Sequence, residues 1–177
     1  MKGIILAAGL GIRLRPLTDN LPKPLLPVGG RPLIYYNLLL LKSYGITDIL
    51  VNVHYQAKKI MDELGDGGAI GMNISYSEEP QILGTGGGIK KADVFLDGHP
   101  FLVMNGDILV DIDLDKLTAF HQKKKGMATL VLRDDPDVMQ YGDIEVDAND
   151  RIRNILGKAP AMSVQTRKKN VYRYSHH

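Results

Sequence analysis

The stretch Gly3-Ile4-Ile5-Leu6-Ala7-Ala8-Gly9-Leu10-Gly11-Ile12-Arg13-Leu14-Arg15-Pro16 decides how the rest of the chain is read. Gly3 to Ala8 is a continuous apolar run ended by glycine, which predicts a strand buried on both faces rather than one alternating between core and water. The run is too short for a signal peptide or a membrane span, so the chain reads as cytoplasmic. The small residues that follow let backbone N–H groups approach a ligand closely, and successive N–H groups in such a turn form an anion-binding concavity. Two familiar phosphate loops are excluded. The dinucleotide fingerprint lacks its third glycine, because Leu14 stands there, and Val51-Asn52-Val53-His54 offers no acid for a ribose. No Gly-x-x-x-x-Gly-Lys-Ser/Thr occurs in the chain. An arginine inside the loop, Arg13, replaces both as a fixed cation for a polyphosphate.

Outward from this loop, Pro16, Pro22, Pro24, Pro27 and Pro32 with Gly29 and Gly30 exclude a continuous helix or a central strand. Leu33 to Tyr44 then predicts a helix stopped by Gly45. Ile46 to Val53 predicts a strand, Ala57 to Leu64 a helix and Asn73 to Ser77 a strand. After the glycines Gly84 to Gly88, Ile89 to Leu96 reads as helix, and Phe101 to Asn105 as strand. Asp113 caps a predicted helix from Leu114 to Lys124, with a strand at Met127 to Leu132. Tyr141 to Val146 and Arg151 to Leu156 read as a hairpin across Asp147 to Asp150. The alternation predicts one α/β domain with a doubly wound, right-handed, mostly parallel sheet and ligands at the carboxyl ends of its strands.

The composition is ordinary for a globular chain: 177 residues, 44% hydrophobic and 24% charged. Disorder and fibrous repeats are thereby disfavoured. Lys and Arg number 22 against 20 Asp and Glu, a net charge of +2. That balance points away from nucleic acid and anionic membrane as partners and leaves small anions open. The absence of cysteine excludes disulfides, thiolate metal sites and a Cys nucleophile, and fits a reducing compartment.

In Pro22-Lys23-Pro24 the flanking prolines predict an extended backbone that presents the ammonium with little entropy left to lose. An isolated Pro-Lys-Pro is a solvated loop lysine; beside a glycine-arginine loop it reads as a phosphate ligand. Asn105-Gly106-Asp107 alone is a turn, but it sits at a strand end. Asp111, Asp113 and Asp115 alternate like calcium ligands, yet Lys116 and Gln122 stand where that loop needs Gly and Glu. Lys123-Lys124-Lys125 reads as a solvated helix end. His54 and His121 receive no role.

The run Ile5-Leu6-Ala7-Ala8-Gly9 through Arg13-Leu14-Arg15-Pro16-Leu17-Thr18 to Pro22-Lys23-Pro24-Leu25 resembles the signature of the sugar-1-phosphate nucleotidylyltransferases. Asn105-Gly106-Asp107 is similar to that family's metal-binding step. Glu79-Pro80-Gln81-Ile82-Leu83-Gly84-Thr85-Gly86-Gly87-Gly88-Ile89 is similar to an element of its mannose-1-phosphate guanylyltransferase-like and related uridylyltransferase branches. These motifs stand in the family's order over roughly residues 3 to 115. The resemblance implies a three-layer, Rossmann-like fold of the nucleotide-diphospho-sugar transferase type. It also implies a reaction between a nucleoside triphosphate and a sugar 1-phosphate that releases pyrophosphate with Mg²⁺. Arg13 and Lys23 would be catalytic, and Asp107 would hold the metal. Leu6, Ala7, Ala8, Gly9, Gly11, Glu79, Gly84 and Thr85 would receive the nucleotide. Glu78 and Glu79 tilt the base toward guanine, since a carboxylate can accept paired donors from its edge. A UTP- or dTTP-specific enzyme and a non-catalytic nucleotide-sensing subunit are the alternatives.

Members of that family usually continue past this length into a sugar-binding strand pair with a second metal-binding aspartate. The resemblance therefore implies a chain that binds nucleotide but turns over poorly alone, with an open sheet edge favouring self-association. The stretch Lys168 to His177 lacks the apolar pattern of a strand. One coding string for Asn170 to His177, aatgtttacaggtattcacatca, read one base later gives Met-Phe-Thr-Gly-Ile-His-Ile, similar to the family's next segment. The expectation is a frameshift in the adenine-rich codons for Lys168 and Lys169.

Overall fold

Uninterrupted apolar strands need cover on both faces, and Ile4, Ile5, Ile49, Leu50, Val51 and Val53 are all buried. The structure, a computed structural model, describes residues 1–132 and 144–155 and the backbone of 169–173. The chain divides into two compact units, Met1–Asp111 and Ile112–His177.

In the first unit β1 (Lys2–Ala7) leads into a hairpin of β2 (Pro27–Val28) and β3 (Arg31–Pro32), then α1 (Leu33–Ser43) and β4 (Asp48–Val53). The chain continues through α2 (Ala57–Leu64), β5 (Asn73–Glu78), α3 (Gly84–Lys91), α4 (Asp93–Leu96) and β6 (Phe101–Asn105). Four of these strands form one sheet in the order β5-β4-β1-β6, parallel throughout. The chain works outward from β1 to β5 and returns on the other side with β6. The topological switch therefore lies between β1 and β6, where such sheets open a crevice at their carboxyl ends. The register aligns those ends: Leu6 stands opposite Asn52 of β4 and Asn105 of β6.

Period-two alternation sends successive side chains to opposite faces. On one face Ile4 and Leu50, with Leu6 and Val103, pack against Ile89, Ala92, Phe95 and Leu96 of the α3–α4 segment. On the other, Gly3 lies beneath α1, close to the Leu41 side chain. Helices on both faces make the three layers expected. α2 matches its predicted bounds, whereas α3 begins at Gly84 rather than after the glycine cluster.

In the second unit α5 (Leu114–Lys124) precedes β7 (Ala128–Leu132), β8 (Ile144–Val146), β9 (Ile152–Ile155) and β10 (Lys169–Arg173). Asp113 caps α5 as expected, accepting the Lys116 N–H at 2.9 Å. β8 and β9 form the antiparallel hairpin, while 141–143 and 156 lie outside the described residues. The terminal stretch departs from its reading, because 169–173 pair in parallel with β7. A ladder made by backbone groups does not require an apolar side-chain pattern. Lys124 also departs from a purely solvated reading: its Nζ meets Asp150 at 2.7 Å and the Asn149 carbonyl at 3.0 Å. Among the described residues no helix is long and apolar enough to cross a membrane.

Candidate functional site

Beside the switch between β1 and β6, the turn bearing Asp107 meets the stretch bearing Lys23. After β6 the chain turns through Gly106, whose N–H donates to the Leu6 carbonyl at 2.8 Å, extending the ladder by one bond to the residue before Asp107. Asn37 of α1, itself buried, donates to the Asn105 carbonyl at 2.9 Å and braces the same strand end. Lys23 reaches this point from a distant stretch of chain, and its Nζ lies 2.7 Å from Asp107 Oδ2.

Lys23 opens a one-turn 3₁₀ helix, Lys23–Leu25, rather than running extended. Pro24 fits because an early turn position has no hydrogen bond for its missing N–H to make. Pro24 and Leu25 are buried and anchor the turn, and the Leu25 N–H bonds the Pro22 carbonyl at 2.8 Å.

The loop after β1 is held from its far side. Gly11 adopts φ +65°, which a side chain rarely tolerates, and a Cβ there would lie 3.0 Å from Thr18 Cγ2. Fully buried Thr18 donates from Oγ1 to the Gly11 carbonyl at 2.8 Å. The Tyr55 hydroxyl lies 3.0 Å from the carbonyls of both Thr18 and Asp19, and Gln56 Nε2 donates to that of Asp19 at 3.0 Å. Lys59 adds a bond to the Asn20 carbonyl. Arg15 is engaged with Asp19 at 3.4 Å, whereas exposed Arg13 forms no side-chain hydrogen bond or ion pair with another described residue. No described residue accepts the N–H of Ala8, Gly9 or Gly11. A cationic side chain thus stands on a loop with unspent backbone donors, an arrangement suited to phosphate oxygens.

Two expected backbone contacts are already used within the protein. The Ala7 N–H donates to Asn52 Oδ1 at 2.7 Å, and the Leu6 carbonyl takes Gly106. Glu79 is also turned inward: it is 3% exposed, with Oε1 accepting Asn52 Nδ2 and Oε2 accepting the Leu83 N–H, each at 2.9 Å. Its carboxylate holds the entry to α3 instead of presenting itself to a base edge. Glu78 is exposed, and its carbonyl accepts Lys91 Nζ. Gly84 and Thr85 are exposed on the first turn of α3.

The structure therefore joins Lys23 to Asp107 and ties Glu79 to the end of β1 through Asn52, while leaving Arg13 unengaged. Asn52 is the residue the sequence reading missed. Its signal was a lone amide inside Ile49-Leu50-Val51-Asn52-Val53, which must find partners once buried. His54, given no role, places Nδ1 2.6 Å from the Glu79 carbonyl.

A family model described as nucleotidyl transferase matches residues 2–174. An N-acetylmuramate alpha-1-phosphate uridylyltransferase of Neisseria meningitidis serogroup B is 56% identical over 114 residues, covering 64% of this chain and 49% of that protein. A mannose-1-phosphate guanylyltransferase of Mycobacterium tuberculosis is 37% identical over 158 residues, covering 89% and 44% respectively. The chain spans less than half the length of either relative. A solved Bacillus anthracis structure, provisionally described as a glucose-1-phosphate thymidylyltransferase in complex with sucrose, superposes with a TM-score of 0.80 at 27% identity. That match covers 97% of this chain and 69% of the other.

Proposed function

Since the chain belongs to the nucleotidyl transferase family, we propose that it takes part in transferring a uridylyl group from UTP to a sugar 1-phosphate. An oxygen of the sugar phosphate attacks the α-phosphorus, the bond to the bridging oxygen breaks, and pyrophosphate leaves with the electron pair. The attacking oxygen is already ionised near neutrality, so positioning and charge neutralisation suffice without a general base. Arg13 braces the terminal phosphates together with the free N–H groups of Ala8, Gly9 and Gly11. Lys23 neutralises the oxygens on which charge redistributes, and the first turn of α3 at Gly84 and Thr85 faces the nucleoside. The observation that carries this reading is the 2.7 Å Lys23–Asp107 contact, which unites two motifs far apart in sequence at the switch of the sheet.

A divalent cation fits Asp107 in one particular way. Among the described residues no group of three His, Cys, Asp or Glu forms a cage. Asp107 nevertheless keeps one oxygen outside the Lys23 pair and is partly exposed. That suits magnesium held by one protein carboxylate with water and substrate phosphates. When bound, the ion supplies charge neutralisation between phosphates.

The base is assigned to uracil on two grounds. Of the two carboxylates that favoured guanine, that of Glu79 is spent internally and only exposed Glu78 is left. The 56% identical relative is a uridylyltransferase. Thermal-shift titration of the chain with UTP, GTP, dTTP and ATP, each with and without Mg²⁺, tests this. The expected result is a Mg²⁺-dependent rise in melting temperature that is largest for UTP. A larger shift with GTP would reverse the base, and no shift with any of them would overturn the function.

A further inference from the structure

Asn52 and Glu79 form a continuous side-chain relay between two parts of the candidate site. Asn52 is 3% exposed. Its orientation is fixed by chemistry, since only Oδ1 can accept the Ala7 N–H and only Nδ2 can donate to Glu79. Glu79 passes the connection on through Oε2 to the Leu83 N–H, immediately before α3. Its backbone is pinned as well, the N–H on the Val53 carbonyl at 2.8 Å and the carbonyl on His54. Gly88 closes the arrangement from α3: a Cβ there would lie 2.8 Å from Asn52 Nδ2 and 3.0 Å from Glu79 Oε1. Among the described residues Glu79 has no salt-bridge partner, so neutral donors alone hold its carboxylate. A buried carboxylate so held is costly for packing alone.

We infer that Asn52 and Glu79 are positioning residues that set the spacing between the end of β1 and the start of α3, and so let the site distinguish a nucleotide from a bare triphosphate. The inference rests on the nucleotide-binding role proposed above. Neither side chain needs to touch the ligand. Ala7 leads directly into the loop of free N–H groups, and Leu83 into the turn bearing Gly84 and Thr85, so a change at either end of the relay is felt at the other.

The relay has a donor–acceptor polarity that can be reversed. In N52D two carboxylate oxygens oppose each other across the central bond. In E79Q the amide must aim its donor at Asn52 Nδ2 or at the Leu83 N–H, donor against donor. In the N52D/E79Q double variant the new amide donates to the new carboxylate, and every bond of the relay has a partner again. Calorimetry with Mg²⁺ on the full chain gives affinities for UTP and for inorganic triphosphate. The ratio of these affinities should fall about tenfold in each single variant, roughly 1.4 kcal/mol, and recover to within about twofold in the double. Amide hydrogen exchange supplies a readout independent of ligand: E79Q should speed exchange at Ala7, which residue 79 does not touch, as well as at Leu83. An unchanged ratio in single variants of lowered melting temperature would reduce the relay to a structural contact and overturn the inference. So would a folded double variant that recovers nothing, or an exchange increase confined to Leu83. A wild-type chain that binds no UTP while Ala7 and Leu83 remain coupled would instead overturn the proposed function and leave the relay standing.

Discussion

Lys23–Asp107 and Lys124–Asp150 are alike in length and in exposure. Each is 2.7 Å long, with lysine side chains 27% exposed and aspartates 37% exposed. They differ in what they connect. The first spans 84 positions of sequence to join a turn after β1 to the end of β6, the neighbour of β1, which itself runs on into a loop with unpartnered N–H groups and an unengaged arginine. The second fastens the last turn of α5, where the helix dipole favours a cation, to the turn between β8 and β9. The geometry of an ion pair therefore does not identify a site. What points to one is the set of unsatisfied groups on the loop that follows the neighbouring strand.

The largest expected effect separates the two lysines. Lys23→Ala removes a charged donor from phosphate oxygens, a loss of about 2 kcal/mol or ~30-fold in the Kd for UTP. Lys124→Ala should leave that Kd unchanged. Both pairs are partly exposed, so each substitution should lower unfolding stability by less than about 1 kcal/mol. Calorimetric titration of the two variants, with denaturant melts alongside, is the measurement. Equal losses of affinity would erase the distinction drawn between the pairs.

A smaller effect tests whether the loop around the first pair is held as described. Thr18→Val keeps the shape of a fully buried side chain and removes its 2.8 Å bond to the Gly11 carbonyl. Stability should fall by about 1 kcal/mol. The UTP Kd should rise about fivefold, since a similar free energy is lost from the ordering of the Arg13 loop. A variant that loses stability but keeps its full affinity would show that the loop needs no latch.

Much of this is legible in the sequence. α2 and β6 match their predicted bounds because apolar residues there are framed by glycine, proline or polar punctuation. The meeting of Lys23 with Asp107 followed from a topological rule, since both motifs trail parallel strands. The start of α3 was missed because glycine is a poor helix former, which left Gly84 to Gly88 outside the predicted helix. Contacts distant in sequence override that propensity: Glu79 holds the Leu83 N–H, and the space beside Gly88 is filled by Asn52 and Glu79. The role of Asn52 was hidden for the same reason. One amide in a strand announces a need for partners without saying that they are Ala7 and Glu79.

The smallest expected effects concern pH, and they fall on opposite limbs for the two units. In the second unit Asp147 is held below its ordinary 3.8, chiefly by the Arg151 backbone N–H and then by the Asn149 backbone N–H and the Arg153 guanidinium. A depressed carboxylate contributes stability above its unfolded value and loses it as pH falls through the folded one. Asp147→Asn should therefore flatten the acid limb. In the first unit burial, and then the neighbouring Tyr35 and Asp66, push the Tyr76 hydroxyl up from 10.0 to about 12. Its proton bonds the Gly65 carbonyl at 2.6 Å. The folded state then binds that proton more tightly than the unfolded chain, so the contribution is complete below pH 10.0 and is lost as pH rises toward about 12. The ring is partly exposed, and the slope is accordingly modest. Tyr76→Phe should flatten the alkaline limb and leave the acid limb untouched, as read by denaturant unfolding at constant ionic strength across both ranges. An alkaline slope that persists undiminished in Tyr76→Phe would assign it to other groups and remove this contrast between the units.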